Sequence, residues 1–190
     1  MYQKYHTEAL ILGSRERGEH DRIFTLYTRD FGLLHARASA VRTERSRMRY
    51  ALQNYARAHV GLVRGKRGWR IGGAISVCKA GGNAESIVAF ARVTRLVTRL
   101  VVGEEQNEYL FNALAEAHTA FRQKPYDARA TIEMVCAARV LYALGYLSSE
   151  ALQTALFTHT AYTGAHLLEA ETMRDTLLSS INKAIAETQL

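Results

Sequence analysis

Residues 58–77 read Ala-His-Val-Gly-Leu-Val-Arg-Gly-Lys-Arg-Gly-Trp-Arg-Ile-Gly-Gly-Ala-Ile-Ser-Val. Two stretches rich in β-branched residues, 58–63 and 70–77, flank the turn Gly65-Lys66-Arg67-Gly68, which is the pattern of an antiparallel hairpin. Upstream, Leu33-Leu34-His35-Ala36 reads as another strand. Before it, Ile23-Phe24-Thr25-Leu26-Tyr27-Thr28 runs into Arg29-Asp30-Phe31-Gly32, where Gly32 can supply the positive φ of a tight turn. Ala9-Leu10-Ile11-Leu12 completes the set and is followed by the charged turn Arg15-Glu16-Arg17-Gly18-Glu19. Five short strands, with glycines where strands must bend, suit a small closed barrel better than an open sheet.

Downstream of Ala80-Gly81-Gly82-Asn83 the hydrophobic period changes from two to helical, which sets the domain boundary there. Ile87, Phe90, Val93, Val97 and Val101 recur at three- and four-residue steps up to Gly103, a C-cap. Leu110, Leu114, Ala117 and Phe121 form a stripe within 105–121. Pro125 breaks the chain before Asp127, read as the N-cap of a helix carrying Ile132, Val135, Leu141 and Leu144 to Gly145. A short helix over 149–157 follows, and Met173, Leu177, Ile181 and Ile185 mark a last one. The expected fold class is α+β, with a β-barrel domain over 1–80 and an all-α domain over 81–190.

The 190-residue chain, 48% hydrophobic and 23% charged, has the apolar content of a folded protein and carries a net charge of +7. Residues 1–80 hold 16 Lys and Arg against 6 Asp and Glu, and residues 81–190 hold 9 against 12. The barrel is thus +10 and the helical half −3, so an anionic partner is expected on the barrel. No apolar stretch approaches the roughly 18 residues of a membrane span. The N-terminus lacks the apolar core of a signal peptide, which predicts a cytoplasmic protein. Cys78 and Cys136 stand apart with no partner at metal spacing, and read as two reduced thiols rather than a zinc site.

The strongest chemical feature is the segment 37–50, in which Arg37, Arg42, Arg45, Arg47 and Arg49 are opposed by Glu44 alone. A charge run is ordinarily a solvated face. Here every cation is arginine, whose planar fork matches phosphate, and Ser39, Thr43 and Ser46 add hydroxyl donors. A second cluster, Arg64, Lys66, Arg67 and Arg70, surrounds Trp69, which either caps the barrel core or stacks on an unpaired base at the hairpin tip. These ten residues are the candidate nucleic-acid-binding set.

Enzymatic readings fare worse. Gly61-Leu-Val-Arg-Gly65-Lys66-Arg67 is one residue short of a P-loop, lacks Ser or Thr after the lysine, and has no helix behind it. His159, His166 and Glu169 lie in a stretch of weak helical pattern and read as surface or loop residues. Glu16, Glu19 and Asp21, interleaved with Arg15, Arg17 and Arg22, read as an ion cluster, with a metal-dependent nuclease through Glu19 and Asp21 as a remote alternative. No metal or cofactor is expected.

On these residues the chain resembles the bacterial DNA repair protein RecO family. The resemblance rests on Thr7-Glu8-Ala9-Leu10-Ile11-Leu12, Gly18-Glu19-x-Asp21-Arg22-Ile23, Leu26-Tyr27-Thr28-x-x-Phe31-Gly32, residues 38–48, Leu52-Gln53-Asn54-Tyr55, and Leu141-Tyr-Ala-Leu144-Gly145-Tyr146. Departures are Ala40 where the family usually has Gly, Glu44 at a commonly basic position, and Asn54 for a frequent Pro. Four zinc-binding cysteines found in some members after the Leu-Gly-Tyr stretch are lacking in residues 147–154.

The resemblance implies an N-terminal OB-fold barrel, a helical C-terminal domain and no zinc finger. It further implies a non-enzymatic, nucleoid-associated mediator that binds single- and double-stranded DNA and anneals complementary strands. With RecR, such a mediator helps load RecA, and its helical half docks the C-terminal tail of single-stranded-DNA-binding protein. Arg42, Arg45, Arg47 and Arg49 would form its DNA-contacting loop. The residues leave open a second reading, an RNA-binding barrel with a helical docking domain.

Overall fold

The computed structural model describes residues 3–80 and 82–188. Met1, Tyr2, Gly81, Gln189 and Leu190 lie outside the described residues, so the boundary at 80–83 is seen without Gly81. Chain contacts divide the protein into two compact units, Met1–Gly81 with Val102–Glu108, and Gly82–Val101 with Tyr109–Leu190.

The first unit is a five-stranded closed barrel in the order β1-β2-β3-β5-β4, the OB-fold. Its strands are β1 (Lys4–Arg17), β2 (Asp21–Thr28), β3 (Gly32–Ala38), β4 (Arg57–Gly65) and β5 (Gly68–Cys78). All neighbouring pairs are antiparallel except β3 and β5, which close the barrel in parallel through Ala36 opposite Trp69 and Arg37 opposite Arg70. Period-two alternation sends Phe24, Leu26, Leu34, Ala36, Val60 and Leu62 inward, where each is at most 2% exposed. Burying each of the larger of these side chains contributes about 1.5–3 kcal/mol. The strands extend beyond their apolar cores, β1 most of all, because the ladder continues into the charged turn. Gly13 and Gly61 sit where the register shifts, as expected of bulged barrel strands.

On the outer face Glu8 of β1 ties three strands together. It accepts hydrogen bonds from Arg29, at 3.1 Å, and Arg57, at 2.7 Å. Burial pushes its carboxyl up, but those two guanidinium groups outweigh burial and hold it below the usual carboxylate range.

The residues joining the basic loop to β4 form a one-turn helix, α1 (Met48–Ala51), which the arginine-rich pattern hid. Gly32 has φ +62°, as the turn requires, and for a second reason admits no side chain: a Cβ there would overlap the backbone of Glu105. The Gly32→Ala variant is therefore expected to lose at least ~1–2 kcal/mol from left-handed strain alone. Displacement of the 102–108 segment adds to that loss. A urea midpoint indistinguishable from wild type would refute this packing role.

The second unit comprises α2 (Ala84–Leu100), α3 (Glu108–Gln123), α4 (Arg129–Ala143), α5 (Ser149–Leu152), α6 (Gly164–Thr172) and α7 (Arg174–Glu187). Asn83 caps α2 by accepting from the Ser86 amide. Four sequence expectations need correction. The first helix ends at Leu100 rather than running to Gly103, since Val101 is extended and 102–108 joins the barrel unit. Asp127 is not an N-cap but part of a 3-10 turn (Tyr126–Ala128) preceding α4. The helix at 149 stops at Leu152, leaving Leu156 and Phe157 buried in irregular chain. His166 and Glu169 lie on α6, whose cap is Thr163, accepting from the His166 amide. Among the described residues no helix is long and apolar enough to cross a membrane.

Candidate nucleic-acid interface

Barrel closure decides where the basic residues meet. Because Arg37 on β3 lies opposite Arg70 on β5, two guanidinium-bearing positions stand side by side on the outer surface, while their neighbours Ala36 and Trp69 point in. The β1–β2 turn brings Arg17 to the same place, and the β4–β5 hairpin adds Lys66 and Arg67. These five cations and Ser39 line a cleft of about 500 Å³ that has no carboxylate in its wall. In OB-folds the loops between strands 1 and 2 and between strands 4 and 5 flank the oligonucleotide-binding face. Arg17 sits at the first such loop, and Lys66 and Arg67 at the second.

Arg37 is held by Asp21, which accepts from its Nε at 2.7 Å and from a terminal nitrogen, while also accepting from the Ala40 amide at 2.8 Å. The Ala40 amide and the Arg37 guanidinium hold the Asp21 carboxyl below its ordinary range. Asp21 therefore anchors the start of the basic loop and orients Arg37 at the cleft edge. This loop anchor sits at a left-handed residue, Ala40 with φ +53°. Arg67, Lys66, Arg70 and Arg17 are exposed and, among the described residues, form no ion pair. Arg64 leans over the Trp69 ring at 5.2 Å and pairs with Glu104 at 3.6 Å.

Trp69 requires a correction. It is 5% exposed and packs in the barrel core edge-on to Tyr5 (5.5 Å) and against Phe31 (5.4 Å), so its ring has no free face for a base. The alternation that exposes Arg70 turns Trp69 inward.

The basic loop does not form one surface with the hairpin. Arg42 and Arg49 line a separate cleft of about 240 Å³ with Arg22. There Glu16 binds both Arg42 (3.2 Å) and Arg22 (3.5 Å), so the ion cluster read at the first turn draws counter-charges from the loop as well. Arg49 donates to the Tyr50 hydroxyl. Arg45 and Arg47 are exposed and unpaired among the described residues. Arg17 was the cleft residue that the sequence concealed, because Glu16 and Glu19 beside it suggested internal neutralisation; its place in the first inter-strand loop was the available signal.

The remaining candidates are occupied structurally. Glu169 accepts from the Thr154 hydroxyl and the Ala155 amide, and the His166 ring contacts the Ala161 carbonyl. Cys78 and Cys136 are free, Cys136 fully buried, and burial pushes its thiol up to about 11.

The family comparison bears on the barrel. Residues 1–71 match the family described as recombination protein O N terminal. The barrel of this chain is similar to the N-terminal domain of recombination protein O. DNA repair protein RecO of Desulfitobacterium hafniense is 44% identical over 62 residues, covering 33% of this chain and 23% of that protein. The RecO protein of Pelotomaculum thermopropionicum is 33% identical over 119 residues, 59% of this chain and 45% of that one. That of Myxococcus xanthus is 39% identical over 61 residues. The matches span between about a quarter and just under half the length of these RecO relatives.

Proposed function

We propose that the chain is a DNA-binding mediator of recombinational repair that works without covalent catalysis. The observation carrying this reading is the cleft lined by Arg17, Arg37, Lys66, Arg67 and Arg70, open, free of carboxylate and placed between the two loops that OB-folds use for oligonucleotides. Such a surface neutralises phosphates on either strand form, and charge neutralisation is what bringing two polyanionic strands together demands. Arg45 and Arg47 extend the same field from the loop.

The likeness of the barrel to recombination protein O supports annealing of complementary strands, action with RecR and assistance to RecA loading as this protein's role. In the helical half, a groove of about 300 Å³ is lined by Arg92, Arg95, Arg99 and Glu133 beside Leu96, Ala137 and Ile185, with Glu133 pairing to Arg92. Arg95 and Arg99, the two groove cations that Glu133 does not hold, beside that apolar floor suit an acidic peptide with an apolar end, the chemistry of the C-terminal tail of single-stranded-DNA-binding protein. The test is annealing of labelled complementary strands by the full chain, with the strands bare or coated with that binding protein. Acceleration is expected on bare strands, and on coated strands only when the acidic tail is intact. Failure to accelerate annealing of bare strands would reject the reading.

A further inference from the structure

The outer face of β1, β4 and β5 carries ordered rows that the cleft alone does not use. Register places Lys4 opposite Val63 and Val63 opposite Arg70, so with Arg37 one row runs across four strands from the cleft. The next row is His6, Gly61 and Gly73, and the one after is Glu8, His59 and Ile75. Two consecutive glycine positions across the strands leave a groove of about 320 Å³, bounded by Lys4, His6, His59, Val63 and Ile75. Val63 belongs to the walls of both this groove and the basic cleft.

The aromatic side chains of the barrel divide between inside and outside. Trp69 lies in the core with Tyr5 and Phe31 packed against it. His6 and His59 are exposed on the groove. The His6 ring leans across the glycine row, its Cε1 lying 3.5 Å from where a Cβ on Gly61 would stand. Ile75, 73% exposed, offers an apolar wall opposite His59.

Resting on the nucleic-acid reading of the adjacent cleft, we propose that this groove is a stacking subsite for an unpaired base of single-stranded DNA. His6 and His59 supply the ring faces, Gly61 and Gly73 leave the depth a base needs, and Lys4 and Arg70 take the flanking phosphates. Imidazole rings serve as stacking platforms for unpaired bases, whereas a base paired in a duplex has no free face to offer. The cleft therefore holds either strand form, and the groove adds preference for the single strand. A net-positive rim and direct continuity with the basic row favour a nucleic-acid occupant over an apolar protein segment.

The experiment measures affinity of the full chain for an oligo-dT single strand and for a duplex of equal length. It uses wild type, His6→Ala/His59→Ala and Gly73→Val. Gly73 has ordinary strand backbone, and nothing lies within 4 Å of the place a Cβ would take, so a side chain can enter the groove there without a clash at its Cβ. Both variants are expected to bind the single strand on the order of tenfold more weakly while duplex affinity stays within about twofold. Unchanged affinity for both forms overturns the subsite and leaves the cleft reading standing. Equal loss on both forms also overturns it, because the groove would then contact phosphates only. Absence of wild-type binding to either form would reject the cleft reading itself, and the subsite with it.

Discussion

Replacing Arg67 and Arg70 together by glutamate is expected to weaken oligonucleotide binding by at least about a hundredfold near 100 mM salt, with little change in thermal unfolding. Both side chains are exposed, line the cleft and, among the described residues, pair with no carboxylate, so their removal costs the fold little. Each lost phosphate contact removes about 0.9 from the log–log salt slope on duplex and about 0.7 on single strands. If all five cleft cations engage phosphates, the wild-type slope should be near −4.5 on duplex and −3.5 on single strands. The double variant should then fall to roughly −2.7 and −2.1. Fluorescence anisotropy over a salt series reads both quantities. An unaltered slope would show that phosphates do not lie in this cleft. Arg37→Glu is a poorer test, because Asp21, already held by the Ala40 amide, would lose its partner and face a like charge. A loss there would mix loop collapse with lost binding.

How much of this was written plainly in the chain differs between the two halves. Strand alternation made Trp69 and Arg70 neighbours in sequence with opposite fates, yet a lone tryptophan inside a basic run gives no local sign of which way the pleat turns it. The closing β3–β5 pairing settles the matter, and that pairing is parallel and spans only two residue pairs. The same closure gathers Arg37 with the hairpin and leaves Arg42 and Arg49 at another cleft, a separation that spacing along the chain cannot express. Ala40 is instructive in the opposite sense. The departure from the family's glycine falls on a residue with φ +53°, so a backbone demand was visible in the sequence as a mismatch. In the helical half, long periodic segments such as 84–100 and 129–143 were legible. Positions 153–163 were not, because their buried residues Leu156, Phe157 and Tyr162 follow no period.

What fixes that irregular stretch is Arg139, and its removal is expected to destabilise the helical half strongly. Arg139 occupies the apolar stripe of α4, seven residues after Ile132 and four after Val135, and its side chain is fully buried. Its guanidinium donates to the carbonyls of Leu156 (3.0 Å), Thr160 (2.7 Å) and Ala161 (3.0 Å), and lies 4.6 Å over the Tyr162 ring. Carbonyls in chain without helix or strand need donors from elsewhere, and one planar fork supplies three. Arg139→Met keeps much of the volume but strands those acceptors away from water, at about 1–3 kcal/mol for each that stays buried and unmet. Partial relaxation of the loop limits the total, so a loss of ~3–5 kcal/mol in urea unfolding is expected. Arg139→Lys should recover only a minor part, since an ammonium group cannot reproduce the fork. Among the described residues no carboxylate pairs with it; three carbonyl dipoles and a ring face converge on the charge instead, an arrangement that also binds the chain leading into α6 to the centre of α4. A methionine variant within about 1 kcal/mol of wild type would mean that the loop carbonyls find other donors and that the arginine is not what orders them.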